Sequence, residues 1–232
     1  MTIDFDFTPY FDRYEALVAK VDQVFEKVRV DHPDCVRCEL GCADCCHALF
    51  DLSFIEAVYL NHRFMEGFDG KPRQKLLEKA NRADRSTYKI KRKAHKDLQE
   101  GKDEAQILSE IGAERVRCPL LNEKEQCDLY RFRPITCRLY GIPTSINGTG
   151  HTCGLSGFQA GTAYPTVNLD LIHRELRQIS ADLVAALDSK YDRLVDLLVP
   201  VSMAMLTLYD EEYLGVAPDP PDDPDTAAKD RE

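Results

Sequence analysis

Residues 35–46 read CVRCELGCADCC, so five of the nine cysteines in the chain lie within twelve residues. Thiolates separated by two or three residues can turn their sulfur atoms toward one ion or cluster, because a tight turn brings the side chains to a common centre. Gly41 supplies the backbone freedom for such a turn. The alternative interpretation is a set of buried apolar thiols, but cysteine is too scarce in average proteins for this density to be typical of a core. The segment therefore predicts a metal-thiolate site, with candidate ligands Cys35, Cys38, Cys42, Cys45 and Cys46.

A second, sparser set of cysteines follows between residues 113 and 167. This region also holds six of the 12 glycines, between Gly141 and Gly161. A compact domain seldom keeps so long a segment without regular structure unless something organises it, and bound metal is one organiser. We therefore expect the two sets to meet in space, with eight or nine thiols available for one cluster or for two four-thiolate sites. The candidate ligands of this set are Cys118, Cys127, Cys137 and Cys153.

The order of these motifs is more specific than their spacing. Cys42-Ala-Asp-Cys45-Cys46 has Cys38 upstream, and it is followed by Cys118-Pro-Leu-Leu, Cys127-Asp-Leu-Tyr and Arg133-Pro-Ile-Thr-Cys137-Arg. Over about residues 35–155 this pattern resembles the bacterial cysteine-cluster family with a CxxCxxCC motif, whose domain is described as zinc- or iron-chelating. The chain has three residues between Cys38 and Cys42 instead of two, so both Cys35 and Cys38 remain candidates for the first position. The resemblance implies metal binding rather than a particular reaction; a flagellin lysine methylase with a related domain shares only the cysteine pattern.

The choice between iron and zinc depends on how the thiols are grouped. Structural zinc sites present two separate pairs of cysteines around a tetrahedral ion. Two adjacent thiols such as Cys45 and Cys46 seldom both face one such ion without strain, whereas a multi-iron cluster accepts thiolates over a wider centre. The sequence therefore favours an iron–sulfur cluster, with zinc as the alternative.

A third interpretation is a radical-SAM-like enzyme. Cys38-x3-Cys42-x2-Cys45 also spells the three-cysteine motif of those enzymes. They need a βα barrel after the motif, whereas the sequence that follows here predicts charged helices. The aromatic residue common before the third cysteine is Asp44 in this chain.

Other polar side chains around the cysteines are weaker candidates. His47 and His151 are alternatives as imidazole ligands, against a more usual capping or surface role. Arg131, Arg133 and Arg138 flank Cys137, where cations can bind an anionic substrate or offset the charge of a thiolate cluster. We take as candidates for substrate binding or for support of the ligands Arg133, Arg138, Tyr130 and Tyr140.

The hydrophobic spacing predicts a mainly α fold, in which a helical bundle flanks an irregular, cysteine-rich metal-binding segment. Helices are expected over residues 11–28 behind a cap at Thr8 and Pro9, from the capping box of Ser53 and Glu56 to Gly67, from Pro72 to about 97, over 103–111, from a cap at Asn168 to 187, and from Tyr191 to about Tyr213 with a break at Pro200. The expected organisation is an N-terminal helix (1–34), a cysteine-cluster domain with inserted helices (35–167), C-terminal helices packing on the same domain (168–214) and a disordered acidic tail (215–232).

Composition restricts the location and the partners. The first ten residues carry Asp4 and Asp6 and no basic region, unlike a signal peptide. The longest apolar run, 197–206, is well short of the roughly 20 residues that span a bilayer. We expect a cytoplasmic protein without a membrane partner, in which thiols stay reduced and bind metal rather than form disulfides.

The net charge of −10 argues against general nucleic-acid binding. A basic helix at 82–96 can nevertheless dock an acidic partner, and the alternative is a solvated helix face. No serine, histidine or carboxylate constellation and no glycine-rich phosphate loop is present. Two classes of function stay open: an iron–sulfur redox or modifying enzyme, and a metal-chelating or zinc-stabilised binding module without catalysis.

Overall fold

The computed structural model describes residues 3–39 and 41–216, and 58 % of it is helical, so the mainly α prediction is confirmed. The helices in this part of the chain are α1 Thr8–Asp31, α2 Phe54–Gly67, α3 Gly70–Gln99, α4 Glu104–Ala113, α5 Ile135–Leu139, α6 Leu169–Ala186, α7 Val201–Leu206 and α8 Glu211–Leu214. Short strands are β1 Asp51–Leu52, β2 Thr144–Ile146, β3 Thr149–His151, β4 Val167–Asn168 and β5 Val199–Pro200. None of the helices among these residues is both long and apolar enough to cross a membrane.

Helix α2 lies at the centre of the molecule. It contacts α1, α6 and α7, and the side chains of Phe54, Ile55 and Phe64 are completely buried. A helix that is apolar on nearly all sides must be covered on all sides. Its two buried polar groups are accordingly paired: Asn61 donates to the carbonyls of Ala204 (2.9 Å) and Thr207 (3.1 Å), and Glu56 accepts bonds described below. The core around α2 draws on residues from Phe7 to Leu214.

The caps explain where several helices begin. The predicted capping box of Ser53 and Glu56 is present at the start of α2, and Asn168 caps α6 by accepting a 2.9 Å bond from the amide of Asp170. Thr8 is not the cap of α1; it is the first helical residue, and Asp6 accepts its amide proton at 2.9 Å. Helix α3 begins at Gly70, two residues before Pro72. Pro72 therefore lies in the first turn of the helix, where proline is tolerated.

The predicted helix from Tyr191 to about Tyr213, with its break at Pro200, is only partly correct. This stretch contains a 3-10 helix (Asp192–Asp196), strand β5, and the short helices α7 and α8. Pro200 lies in β5, which pairs antiparallel with β1 in the register Asp51↔Pro200 and Leu52↔Val199. The expected break at Pro200 is therefore present, and it takes the form of an extended strand pair, since proline cannot donate the helical hydrogen bond.

The irregular segment 113–167 is more ordered than expected. It carries a 3-10 helix (Tyr130–Phe132), α5 and a three-stranded sheet in the order β3-β2-β4. From the sequence, we expect bound metal to organise this segment. It nevertheless contributes buried side chains to the core, namely Leu120, Leu129, Ile135, Leu139 and Ile142. Part of this segment is therefore held by packing and not by metal alone.

The predicted tail lies largely outside the described residues. Residues 217–232 are not among them. Gly215 and Val216, which the expected tail boundary included, close α8 instead: Gly215 adopts φ 67°, and the amide of Val216 donates to the carbonyl of Glu211 at 3.0 Å. This is the left-handed glycine end that commonly terminates a helix.

Candidate metal centre

The two cysteine sets meet through the backbone. The first set ends in a 3-10 helix, Asp44–His47. Behind it the chain pairs with the residues that precede the second set: the amide of Cys118 donates to the carbonyl of Cys46 at 2.7 Å, and the amide of Val116 donates to the carbonyl of His47 at 3.0 Å. These bonds hold Cys46 and Cys118 side by side although 72 positions separate them in the sequence.

Five thiols line one pocket. They come from three backbone pieces: the 3-10 helix supplies two, the loop 118–127 two and helix α5 one. The loop is closed by a bridge between Leu121 and Cys127 and by a 2.8 Å bond from the amide of Asp128 to the carbonyl of Leu120. The remaining wall is mostly apolar and includes Ala83 and Thr87 of α3 and Val201 of α7. The pocket cysteines are Cys45, Cys46, Cys118, Cys127 and Cys137.

The pocket thiols perturb one another. Hydrogen bonds with Cys137 and Cys46 lower the pKa of Cys45, and the same contacts, followed by burial, raise the pKa of Cys46 and Cys137. Burial raises the pKa of Cys118 to about 12 and that of Cys127 to about 11. A site that favours one thiolate among protonated thiols cannot hold five negative charges without a compensating cation. Metal binding supplies that cation and releases the protons.

The side chains as they lie do not encircle one point. Within residues 3–39 and 41–216, no three histidine, cysteine, aspartate or glutamate side chains are placed to hold a single metal ion. The five pocket thiols line one shared wall, with Cys45 in contact with both Cys46 and Cys137. In donor type and number the pocket suits a thiophilic metal such as zinc or iron.

Three further thiols form an outer group beside the pocket, namely Cys38, Cys42 and Cys153. Burial, and after it the charges of the Cys42, Cys153 and Cys45 thiols, raise the pKa of Cys38 to about 11. The thiol of Cys153 donates to Oδ2 of Asp44 at 3.5 Å. Cys38 can lie here because Gly141 has no side chain: a Cβ at that position would be 2.1 Å from the Cys38 sulfur.

Cys35 is not among the residues that line the pocket. It follows the end of α1, where its carbonyl accepts a 2.7 Å bond from the amide of Gly157. A Cβ on Gly157 would come within 2.7 Å of the carbonyl oxygen of Asp34, so the close approach of these loops requires glycine. The same contact brings the segment that carries Cys153 against the first cysteine set.

The candidate arginines differ in their surroundings. The guanidinium of Arg133 stacks on the Tyr130 ring at 4.0 Å from its centroid. Its positive charge helps to lower the pKa of Cys45, and it opposes the rise that burial causes in the pKa of Cys38 and Cys127. Arg133 also lines the thiol pocket, while the Tyr130 ring is exposed. Arg133 therefore places a positive charge at the edge of the pocket, with the Tyr130 ring stacked against it.

Arg138 is buried and fully engaged. It donates to Asp22 at 2.6 Å and to the carbonyls of Arg131 (2.5 Å) and Arg133 (2.9 Å). This arrangement ties α5 to α1 and fixes the chain before Cys137, which is a positioning role.

Tyr140 and the two histidines lie at the edges of the site. Tyr140 lies beside Arg115 and Asp44, which form an ion pair with each other. His47 holds its ring nitrogen Nδ1 3.1 Å from the carbonyl of Ala43, as a capping residue does, and His151 is exposed on β3.

Three residues support the site in ways that the sequence pattern does not indicate. Glu56 was expected only as a capping residue, yet it also accepts the amide proton of Ile135 at the start of α5. Asp44 was considered only as a departure from the radical-SAM motif, and it contacts Arg115, Tyr140 and Cys153. Gly141 was counted among the glycines of a loosely ordered region, and its close contact with Cys38 could not be anticipated.

The pocket is lined by thiols from both the first and the second cysteine set, within a helical fold. This arrangement is that of a metal-thiolate protein. A family model described as "CxxCxxCC: Putative zinc- or iron-chelating domain" matches residues 34–154. The match spans more than half of the 232 residues, and the chain belongs to this family. Its domain binds zinc or iron, as the cysteine pattern predicted. No curated protein and no solved structure matches the chain significantly.

Proposed function

We propose that the protein holds an iron–sulfur cluster in the thiol pocket and uses it for electron transfer or for a modifying reaction. The observation that supports this most directly is the convergence of Cys45, Cys46, Cys118, Cys127 and Cys137 on one wall. Five sulfurs exceed the four that a tetrahedral ion takes, and the adjacent pair Cys45 and Cys46 both face the pocket. When bound, the cluster supplies one-electron chemistry.

The chain's own residues complete such a site. The apolar wall from α3 and α7 excludes water and lowers the local dielectric constant, which is one of the factors that set a cluster's potential. Arg133 offsets part of the thiolate charge, and Arg138 holds the loop before Cys137 in place. The outer thiols Cys38, Cys42 and Cys153 provide further ligands beside the pocket. Cys35 is the one candidate that we leave out of the ligand set.

Zinc is the second candidate, because the family description names it equally with iron. In that case the pocket is a structural centre and the protein is a binding module without catalysis. The radical-SAM interpretation loses its support, since α2 and α3 follow the motif where a βα barrel is needed.

The test is quantitation of iron, zinc and acid-labile sulfide in protein purified without air. We expect iron and sulfide in equal amounts, a brown colour and a visible absorbance that bleaches with dithionite. Stoichiometric zinc without sulfide would establish the second candidate instead. Protein that binds neither metal would contradict both.

A further inference from the structure

Helix α3 carries a continuous row of cations on its solvent side. Counted in steps of three and four, these residues occupy one face of the helix, opposite the buried residues Leu76, Ala80, Ala83 and Thr87. All six are exposed. Over fourteen residue steps the row extends about 21 Å along the helix axis. We call this row the basic stripe: Arg82, Arg85, Lys89, Arg92, Lys93 and Lys96.

The charges of the basic stripe are only partly offset by their neighbours, among them Glu110 of α4, which interacts with Lys93. Within the described part of the chain, the ion pair that a stripe residue forms is the exposed one between Lys96 and Glu100, at 3.5 Å. Lys91, which lies off the stripe, pairs with Asp51 at 2.6 Å. The chain as a whole has net charge −10, so the residues outside the stripe sum to −16. Six positive charges along one face of a helix repel one another, and an acidic ligand reduces that repulsion.

The stripe adjoins the thiol pocket. Ala83 and Thr87 on the inner face of α3 line that pocket. On the flank of the helix, a groove bordered by Lys79, Arg82 and Arg117 extends to Cys118. A ligand on the stripe therefore lies about one helix diameter, roughly 10 Å, from the candidate metal centre.

We propose that the basic stripe docks a short acidic segment of a partner protein. Charge complementarity selects an acidic ligand, and the narrowness of the stripe selects a single helix or extended strand. At one end the row stops at Asp97 and Glu100; at the other, Glu78 interrupts it before the exposed Lys71 and Lys75. The net charge of −16 outside the stripe repels a long polyanion such as nucleic acid more strongly than a short acidic peptide that covers the stripe alone. The proposal does not depend on which metal the pocket holds.

The probe is a fluorescein-labelled peptide of twelve alternating Asp and Glu residues, titrated with the full-length protein at low salt. The test variant is Lys89→Glu/Lys93→Glu. Its matched control, Lys20→Glu/Lys27→Glu, makes the same charge change at exposed lysines of α1. We expect the stripe variant to bind at least about tenfold more weakly and the control to bind like the wild type. A second stripe pair, Arg85→Ser/Arg92→Ser, checks the result with a smaller change, and circular dichroism verifies folding.

Three results would overturn the proposal. The first is no measurable binding by the wild type, or equal loss in the stripe variant and its control. The second is tighter binding of a DNA oligonucleotide of the same charge, which would make the stripe a nucleic-acid surface. The third is binding that tightens at least about tenfold when the chain is truncated after Val216, which would identify the acidic C-terminal residues as the native occupant.

Discussion

Oε1 of Glu56 accepts a 3.1 Å hydrogen bond from the amide of Ile135, 79 positions later in the chain. The other carboxyl oxygen of Glu56 accepts from the amide (3.1 Å) and the hydroxyl (2.9 Å) of Ser53. One buried carboxyl group thus begins α2 and α5 together, and Cys137 lies two residues beyond Ile135. The central helix and the second cysteine set are linked through this group.

Replacing Glu56 should therefore disturb both stability and metal binding. Glu56→Ala leaves the buried amide of Ile135 without a partner and removes the cap of α2, so we expect a loss of about 2–4 kcal/mol in the free energy of unfolding, with weaker metal binding. Ser53→Ala is the matched control, because it removes a capping hydroxyl and keeps the bond to Ile135; its expected cost is about 1 kcal/mol. Urea unfolding and metal titration measure both effects. Equal metal affinity in the two variants would show that the link does not position Cys137.

The same group should make stability depend on pH. Burial raises the pKa of Glu56, although hydrogen bonds from Ser53 and Ile135 act in the opposite direction. The folded protein then binds more protons than the unfolded chain between the ordinary glutamate pKa, about 4.3, and the raised value. Stability is consequently lost as pH rises through this window. Glu56→Gln should lack that decline, although it is less stable at every pH. Parallel stability profiles for the two proteins in urea unfolding would contradict the prediction.

Cys137 and Cys35 should differ sharply in their effect on metal content. Cys137 lines the thiol pocket and contacts Cys45, whereas Cys35 lies at the end of α1 against Gly157. We expect Cys137→Ser to lose most of the bound metal and Cys35→Ser to keep it. Both changes exchange one sulfur for one oxygen, so general effects of the substitution cancel. Metal quantitation per chain decides the matter, and a larger loss in Cys35→Ser would reverse our assignment.

Gly141 tests whether the outer thiols participate. In Gly141→Ala the new Cβ would approach the sulfur of Cys38 to 2.1 Å, so that thiol must rotate away. If Cys38 is a ligand, metal affinity should fall on the order of 10–100-fold. Gly150→Ala is the control, since a Cβ there meets nothing within 4 Å. Competition with a chelator measures the affinity. An affinity equal to that of the control would confine the metal to the pocket thiols.

Removal of the metal should loosen only part of the molecule. Thiolate-bound metal contributes on the order of 10 kcal/mol where it organises a site. Helices α1 and α6 bury their own apolar faces, so we expect residues 11–28 and 169–187 to keep their hydrogen-exchange protection. Residues 35–46 and most of 113–167 should lose it.

The core residues of α5 refine this expectation. Ile135 and Leu139 are almost fully buried, so protection should persist near them better than in the loop 118–127. Hydrogen exchange before and after chelation makes the comparison. Uniform protection in both states would mean that the fold stands without metal.

The sequence by itself determined the helical fold, the metal-thiolate class and the family. These depend on local signals: apolar spacing around α1, α2 and α6, the capping box at Ser53 and the crowding of cysteines at 35–46. Local signals predicted the break at Pro200, but they did not predict that the residues there pair as a strand with Asp51 and Leu52 or that only short helices follow. Such pairing is a long-range interaction that periodicity does not encode.

Only the tertiary structure decided which cysteines share a pocket. The absence of Cys35 from the pocket wall, the presence of Cys137 in that wall and the place of Cys38 against Gly141 all follow from contacts between distant segments. Burial then determines which polar groups position the site, because a buried amide or guanidinium must find its partner wherever the fold brings one near. Spacing along the chain predicts that thiols come together, but tertiary packing determines which of them share a pocket.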